Sequence, residues 1–407
     1  MGNARLGALD GVSTKMKILR IISSMDPKTG GPAEGIRQVS RALKLQGHET
    51  ECLTLDDPAA SWIDGQPITV HAMGPGWGGY GYAPQFKVWL KQHAADYDAI
   101  VIGGIWQYHS IAARDVLVGL GIPYLIFTHG MLDPWFKHTY PLKHLKKSLY
   151  WPWTDYRVLR DAHAVLFTSE EEKILARQSF GLYRANEAVV NYGTSTPPQN
   201  KAELRDKFFA QYPALSGKRL ITFLSRIHEK KGCDLLVAAF AKIADSDPNL
   251  HLVMAGPDQT NLIPALKALA ESLGIAQKIT WTGMLQGDAK WGALYASEVF
   301  ALPSHQENFG IAVAEALGCG LPVIISDKVN IWREIDADGA GLVAPDTLEG
   351  TEKTLRTWIA MSSNERADMA ARAEQTFKNR YTVEAMASSL LANIESMPTR
   401  PNLEFAR

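Results

Sequence analysis

The stretch Pro303-Ser304-His305-Gln306-Glu307-Asn308-Phe309-Gly310-Ile311-Ala312-Val313-Ala314-Glu315-Ala316-Leu317 sets two carboxylates eight residues apart across a loop-to-helix junction. Val299 to Leu302 before it read as the end of a buried strand. Ser304 to Asn308 have loop polarity, and from Phe309 onward apolar residues recur at helical intervals. The pattern predicts Glu307 on the loop and Glu315 about two turns into the helix. A helix start has unpaired N–H groups and a partial positive charge, so it favours an anion such as a diphosphate. Gly310 lets that ligand approach the backbone. A carboxylate ahead of the helix can accept from hydroxyls on one side of the anion, and one farther along from hydroxyls on the other. A nucleotide-sugar has that layout: sugar, pyrophosphate, ribose. The competing reading is a solvated loop charge at Glu307 and a surface helix residue at Glu315, and spacing alone does not separate the two.

Outward from this stretch, 407 residues suffice for two domains with full cores, and 46% apolar with 21% charged residues describe a globular chain. A net charge of −1 has no nucleic-acid signature, so no such partner is expected. Cys52, Cys233 and Cys319 form no CxxC pair, which indicates neither a disulfide framework nor a zinc site and fits a reducing compartment. No apolar run reaches the roughly 18 residues of a spanning helix. Residues 1–15 lack the apolar region of a signal peptide and read as a flexible extension ahead of a fold beginning near Met16.

Taken in order, Lys17 to Ser24 is an apolar strand, Asp26 to Pro32 a tight loop containing Gly30 and Gly31, and the following segment an amphipathic helix ending at Gly47. This is the opening unit of a parallel α/β sheet. Paired glycines there let a phosphate or sugar come close, or simply mark a turn. Trp77 to Tyr82 is a glycine-aromatic loop suited to closing over a substrate. Ala99 to Gly104 is a buried strand with Trp106, Tyr108 and His109 at its carboxyl end, where ligands of such sheets gather. Pro123 to Thr128 is another, leading to His129, with Asp133 near enough in sequence to hydrogen-bond it. A lone histidine at that edge is either structural or part of a site.

From Trp135 to Arg160, Lys137, Lys143, Lys146, Lys147, Arg157 and Arg160 interleave with aromatic residues against the single acid Asp155. That composition suits docking on an anionic membrane surface or an acidic acceptor. A solvated helix face with tryptophans in the core is the slightly favoured alternative. Thr194 to Gln199, small, polar and ending near a proline pair, is the best linker and divides 16–195 from 196–381. Beyond it a second series of strands begins at Arg219 to Leu224, followed by the basic loop Ser225 to Gly232. The segment 382–407 reads as a terminal helix packing across both domains, with a tail. Asp336-Ala337-Asp338 reads as a turn rather than a metal site.

With these residues assembled, the chain resembles a retaining glycosyltransferase of family four, whose fold is α/β GT-B, two facing Rossmann-like domains with a central cleft. The resemblance covers roughly Met16 to Met397. It rests on the acidic pair Glu307 and Glu315, the preceding Pro-Ser, the following Ala-Leu-x-x-Gly-x-Pro-Val from Ala316 to Val323, and Arg-x-x-x-x-Lys-Gly from Arg226 to Gly232. Thr-His-Gly-Met-Leu-Asp-Pro-Trp, around His129, is similar to a bacterial polysaccharide-synthesis branch.

The resemblance implies an acceptor-binding first half and a donor-binding second half. Arg226 and Lys231 would neutralise the donor diphosphate, Glu307 would contact sugar hydroxyls, the Asn308, Phe309, Gly310 and Ile311 backbone the sugar and phosphate, and Glu315 the ribose. Gly30 and Gly31 would face the diphosphate and His129 the anomeric centre. His129 and Glu307 are thus the catalytic candidates, with Trp106, Tyr108, His109 and Asp133 as acceptor candidates. No cofactor and no metal are expected beyond the nucleotide-diphosphate sugar, GDP-mannose or a UDP-hexose. Expected partners are a saccharide or lipid-linked saccharide acceptor and a membrane surface through 135–160, with a cytoplasmic or inner-face peripheral location. Two departures from the family pattern stand out: Asn191-Tyr192-Gly193 replaces Asn-Gly-Val, and Glu298 replaces Asp. No carboxylate nucleophile can be assigned, so front-face attack assisted by the leaving phosphate is the preferred route to retention. A sugar-nucleotide 2-epimerase of the same fold and a non-catalytic nucleotide-sugar-binding protein are the alternatives.

Overall fold

The computed structural model describes residues 15–29 and 31–398. The expected extension, apart from Lys15, lies outside the described residues, as do Gly30 and the tail beyond 398. The first sheet is built from β1 (Lys17–Ile22), β2 (Glu49–Thr54), β3 (Thr69–Ala72), β4 (Ala99–Gly103), β5 (Leu125–Phe127), β6 (Ala164–Phe167) and β7 (Glu187–Val189), in the order β3-β2-β1-β4-β5-β6-β7. The second comprises β8 (Arg219–Leu224), β9 (Leu250–Ala255), β10 (Ile279–Gly283), β11 (Val299–Leu302), β12 (Val323–Ser326) and β13 (Gly341–Ala344), ordered β10-β9-β8-β11-β12-β13. All pairings are parallel. Each sheet therefore reverses its strand order once, between β1 and β4 and between β8 and β11. Ligands of open α/β sheets bind outside the carboxyl ends of the strands at such a reversal.

The strands form because their residues are apolar without interruption. Every residue of β4, β11 and β12 is buried, as expected of parallel strands covered by helices on both faces. Helix Gly31–Leu45 buries Ile36, Val39 and Leu43 on the first sheet, and helix Cys233–Ala241 buries Leu236, Val237 and Phe240 on the second. Strand ends are shorter than the sequence suggests. Pro123 to Thr128 reduces to β5, and β7, an edge strand paired only with the short β6, stops at Val189. Tyr192 and Gly193 are thereby freed for the passage between the halves.

That passage is crossed twice. Thr194 N–H donates to the Tyr381 carbonyl at 2.9 Å, and Thr194 bridges Thr382 in parallel fashion. Helix Val383–Glu395 then packs against helix Gly31–Leu45 of the first half, burying Met386, Leu390 and Ile394. Asp336-Ala337-Asp338 is not a turn but the end of helix Trp332–Asp338, with Asp338 accepting two bonds from Arg380 at 2.7 and 2.9 Å.

Candidate active site

The loops following β1, β5, β8 and β11 meet around one cleft of about 750 Å³. Gly31, His129, Arg226, Lys231, Glu307, Asn308, Phe309, Gly310, Ile311 and Glu315 all line it. Helix Ile311–Gly318 starts at Gly310, which sits at φ 80°. Glu315 is therefore little more than one turn into the helix, a turn earlier than expected.

Two lysines hold the two carboxylates. Lys231, only 4% exposed, donates from Nζ to Glu307 Oε2. Lys290, on helix Gly287–Ala296, reaches Glu315 Oε1 at 2.6 Å. Burial pushes the Glu315 carboxyl above its ordinary value, and Lys290 opposes that shift. Arg226 donates to Gln259 Oε1 at 3.1 Å and faces the same cleft. Lys290 was not foreseen. A single lysine within an amphipathic segment has no distinguishing spacing, and its partner lies in the next strand–helix unit.

The basic loop and the acidic loop are joined along their backbones. His305 N–H donates to the Lys230 carbonyl at 2.7 Å, and Ser304 Oγ to the same oxygen at 3.1 Å. Gly232, at φ 61°, lies so near that a Cβ there would be 2.0 Å from the Pro303 carbonyl oxygen. Phe309 offers the cleft little of its ring, which packs edge-on against Tyr192 and Tyr381 at centroid distances of 5.1 and 5.6 Å. Tyr192, the residue that departs from the Asn-Gly-Val pattern, also donates from its hydroxyl to the Gly31 carbonyl at 3.1 Å. Glu298, the other departure, is spent on Arg219 at 2.9 Å, outside the cleft.

His129 occupies a left-handed backbone position at φ 49°, half-buried, with its buried Nε2 unpartnered among the described residues. Burial, with the Arg20 guanidinium nearby, lowers its imidazole to about 3, so the ring is neutral at ordinary pH. Asp133 does not bond it. The left-handed turn sends Asp133 the other way, where it accepts from Trp135 N–H at 2.8 Å and from Gln306 Nε2 at 3.1 Å. That bond and the one from Asn308 Nδ2 to Thr168 Oγ1, at 3.2 Å, link the two halves.

The other acceptor candidates are not brought to the cleft. His109 is 1% exposed and meets the Gly103 carbonyl at 2.9 Å, and burial lowers it to about 4. Trp106 sits behind, with Lys147 Nζ 3.8 Å from its ring centroid. Tyr108 packs edge-on against Tyr80 and Tyr82 and donates its N–H to the Tyr80 carbonyl at 2.8 Å. The Trp77 to Tyr82 loop is accordingly not loose: Trp77 and Tyr82 pair with each other and the loop is pinned to Tyr108.

Segment 135–160 forms helices Trp135–Thr139, Pro141–Tyr150 and Asp155–Arg160. The favoured expectation of tryptophans in the core holds for Trp151 and fails for Trp153. Helix Pro141–Tyr150 has no buried residue, and Leu142, Leu145, Leu149 and Trp153 are 82%, 59%, 69% and 66% exposed. Its inner face instead presents Lys143, His144 and Lys147 to Trp106, Phe136 and Phe180. No helix among the described residues is long and apolar enough to cross a membrane.

Residues 30–193 match the glycosyl transferase 4-like domain, and residues 205–376 the domain described as glycosyl transferases group 1. A D-inositol 3-phosphate glycosyltransferase of Segniliparus rotundus is 32% identical over 180 residues, which is 43% of this chain and 39% of that protein. The chain thus spans 39% of the length of that curated relative. An uncharacterized glycosyltransferase of Methanocaldococcus jannaschii is 24% identical over 378 residues, 84% of this chain and 90% of its own. Among solved structures, Anabaena HepE in complex with UDP and glucose superposes with a TM-score of 0.73 at 19% identity, covering 94% of this chain and 100% of that one.

Proposed function

Because this chain belongs to the family-four type of glycosyltransferases with the GT-B fold, we propose that it moves a hexose from a nucleotide-diphosphate sugar to an acceptor hydroxyl with retention at the anomeric carbon. The observation that supports this most is the convergence of Arg226, Lys231 and the start of helix Ile311–Gly318 on one cleft also lined by Glu307 and Glu315. Departure of a nucleoside diphosphate builds negative charge on its oxygens, and fixed cations with a helix start stabilise that charge in place. No divalent ion is required in this reading. Glu307 takes the sugar hydroxyls, the Asn308 to Ile311 backbone the sugar and phosphate, and Glu315 the ribose, with Lys290 favouring its ionised form. Neutral His129 faces the anomeric centre from the opposite half, and attack is from the front face. The likeness to HepE, whose structures hold UDP or UDP-glucose, favours uridine over guanosine in the donor.

Donor consumption tests this. Incubated with UDP-glucose and a saccharide acceptor in the presence of EDTA, the protein should release UDP and form an α-linked product from the α-linked donor, seen by proton NMR. Interconversion of the donor sugar without transfer would instead identify an epimerase, and nucleotide binding with no turnover a sensor.

The same reading includes a saccharide or lipid-linked saccharide acceptor met at the inner face of a membrane, in surface polysaccharide synthesis. What supports it is the inverted amphipathic helix Pro141–Tyr150, whose leucines point to solvent while lysines flank them. Burying an apolar side chain of that size contributes about 1.5–3 kcal/mol, and each lysine near an anionic surface about 1 kcal/mol. Vesicles containing phosphatidylglycerol should therefore co-sediment the protein. Replacing Leu142, Leu145 and Leu149 by serine should weaken that binding at least tenfold while leaving donor turnover in solution unchanged. Undiminished co-sedimentation of the triple variant would refute the assignment of this face to lipid.

A further inference from the structure

Glu172 is 3% exposed, and its carboxylate is met by four donors and by no cation among the described residues. Oε1 accepts from Thr128 Oγ1 at 2.9 Å and from Gly130 N–H at 2.6 Å, the two neighbours of His129 in the chain. Oε2 accepts from Thr168 N–H and Thr168 Oγ1, both at 2.7 Å. Ser169, capping helix Glu170–Ala176, fixes the position of Glu172 along that helix by accepting its N–H at 3.1 Å. The Thr168 hydroxyl thus donates its hydrogen bond to Glu172 and is left as the acceptor for Asn308 Nδ2, at 3.2 Å, from the other half of the molecule. Asn308 in turn packs so closely on Gly130 that a Cβ there would lie 2.6 Å from Asn308 Cγ.

We propose that Glu172 is a positioning residue: one carboxylate clamps both flanks of the left-handed turn that presents His129, and through Thr168 sets that turn in register with Asn308 across the cleft. A buried anion with four donors and no counter-ion is costly unless all its lone pairs are used, and here they are. The consecutive left-handed residues His129 and Gly130, at φ 49° and 73°, form a strained segment whose imidazole stacks on Phe127 at a centroid distance of 5.3 Å but receives no hydrogen bond at Nε2 among the described residues. The clamp on its flanks substitutes for that missing bond. An amide at this position keeps one accepting oxygen, but in either orientation its NH₂ must then face a backbone N–H, that of Thr168 or that of Gly130, donor against donor. The inference rests on His129 facing the reacting sugar.

E172Q is the test, with nitrogen-15-labelled histidine as the second readout. A misplacement of the order of 1 Å at a reacting centre costs about 10² in rate. The expected result is a kcat lowered by about that factor, donor KM and UDP affinity little changed, and a shift of the His129 ring resonances alone among the histidines. T128A, which deletes one of the four donors, should give a smaller change of the same kind and decides the matter if E172Q does not fold. An unchanged kcat overturns the proposal. So does a loss of kcat and UDP affinity together with His129 unmoved, because the defect would then lie in nucleotide binding and not in the presentation of His129. Were the wild-type protein to show no transfer at all, the reading of the reaction would fall, while the His129 resonances of the nucleotide-free protein would still judge the clamp.

Discussion

Lys231→Ala is expected to lower turnover of the nucleotide-sugar by about 10²–10³, the usual cost of removing one group aimed at charge that develops in the transition state. Lys231 is nearly inaccessible and already bonded to Glu307, so the change does two things at once. In the proposed reaction it removes a cation from the departing diphosphate, and it leaves the partly buried Glu307 carboxylate without its partner. Lys231→Arg should not restore the rate, since a planar guanidinium cannot occupy a pocket fitted to an ammonium. Because Lys231 and Glu307 act as a pair, Lys231→Ala combined with Glu307→Gln should lose less than the sum of the two single effects, by the logic of a double-mutant cycle. Release of nucleoside diphosphate, followed continuously, measures the four variants against wild type. Lys231→Ala within tenfold of wild type would remove Lys231 from the proposed mechanism.

The second large effect is expected at Gly232, through backbone alone. A left-handed conformation costs an L-residue about 1–2 kcal/mol, and the added methyl would also meet the Pro303 carbonyl at 2.0 Å. Relief requires the basic loop and the acidic loop to separate, which breaks the His305 to Lys230 bond and moves Lys231 with it. Gly232→Ala should therefore lose well over about 2 kcal/mol of stability and bind UDP at least tenfold more weakly. Gly217→Ala is the control: it has a similar φ of 76° with nothing within 4 Å of the added methyl. It should lose only the conformational cost, with UDP affinity intact. Urea unfolding and titration calorimetry separate the two, and equal behaviour of both variants would show that the contact with Pro303 is unimportant.

These residues differ in how readable they were. Arg226, Lys231, Glu307 and Glu315 stand at fixed intervals around strand ends, and a parallel sheet converts such intervals into one edge of a cleft. His129 and His109 looked alike, each just past a buried strand. Yet His109 begins a helix and turns inward to the Gly103 carbonyl, whereas His129 sits in a left-handed turn facing the other half. Backbone handedness at a non-glycine residue leaves no trace in composition. The leucines of helix Pro141–Tyr150 show the same limit, because their spacing defines a stripe but not whether the stripe faces in or out. Glu172, Thr168 and Lys290 act through contacts with distant segments, so no local pattern could have marked them. Glu172 was visible only as the last residue of a Ser-x-x-Glu helix start.

The double crossing at Thr194 and Thr382 has a consequence for dissecting the molecule. A fragment cut at the linker would expose the surface of helix Gly31–Leu45 that helix Val383–Glu395 covers. The amino-terminal half is thus discontinuous in sequence, and an autonomous version needs the carboxyl-terminal helix supplied as a separate peptide or rejoined by circular permutation.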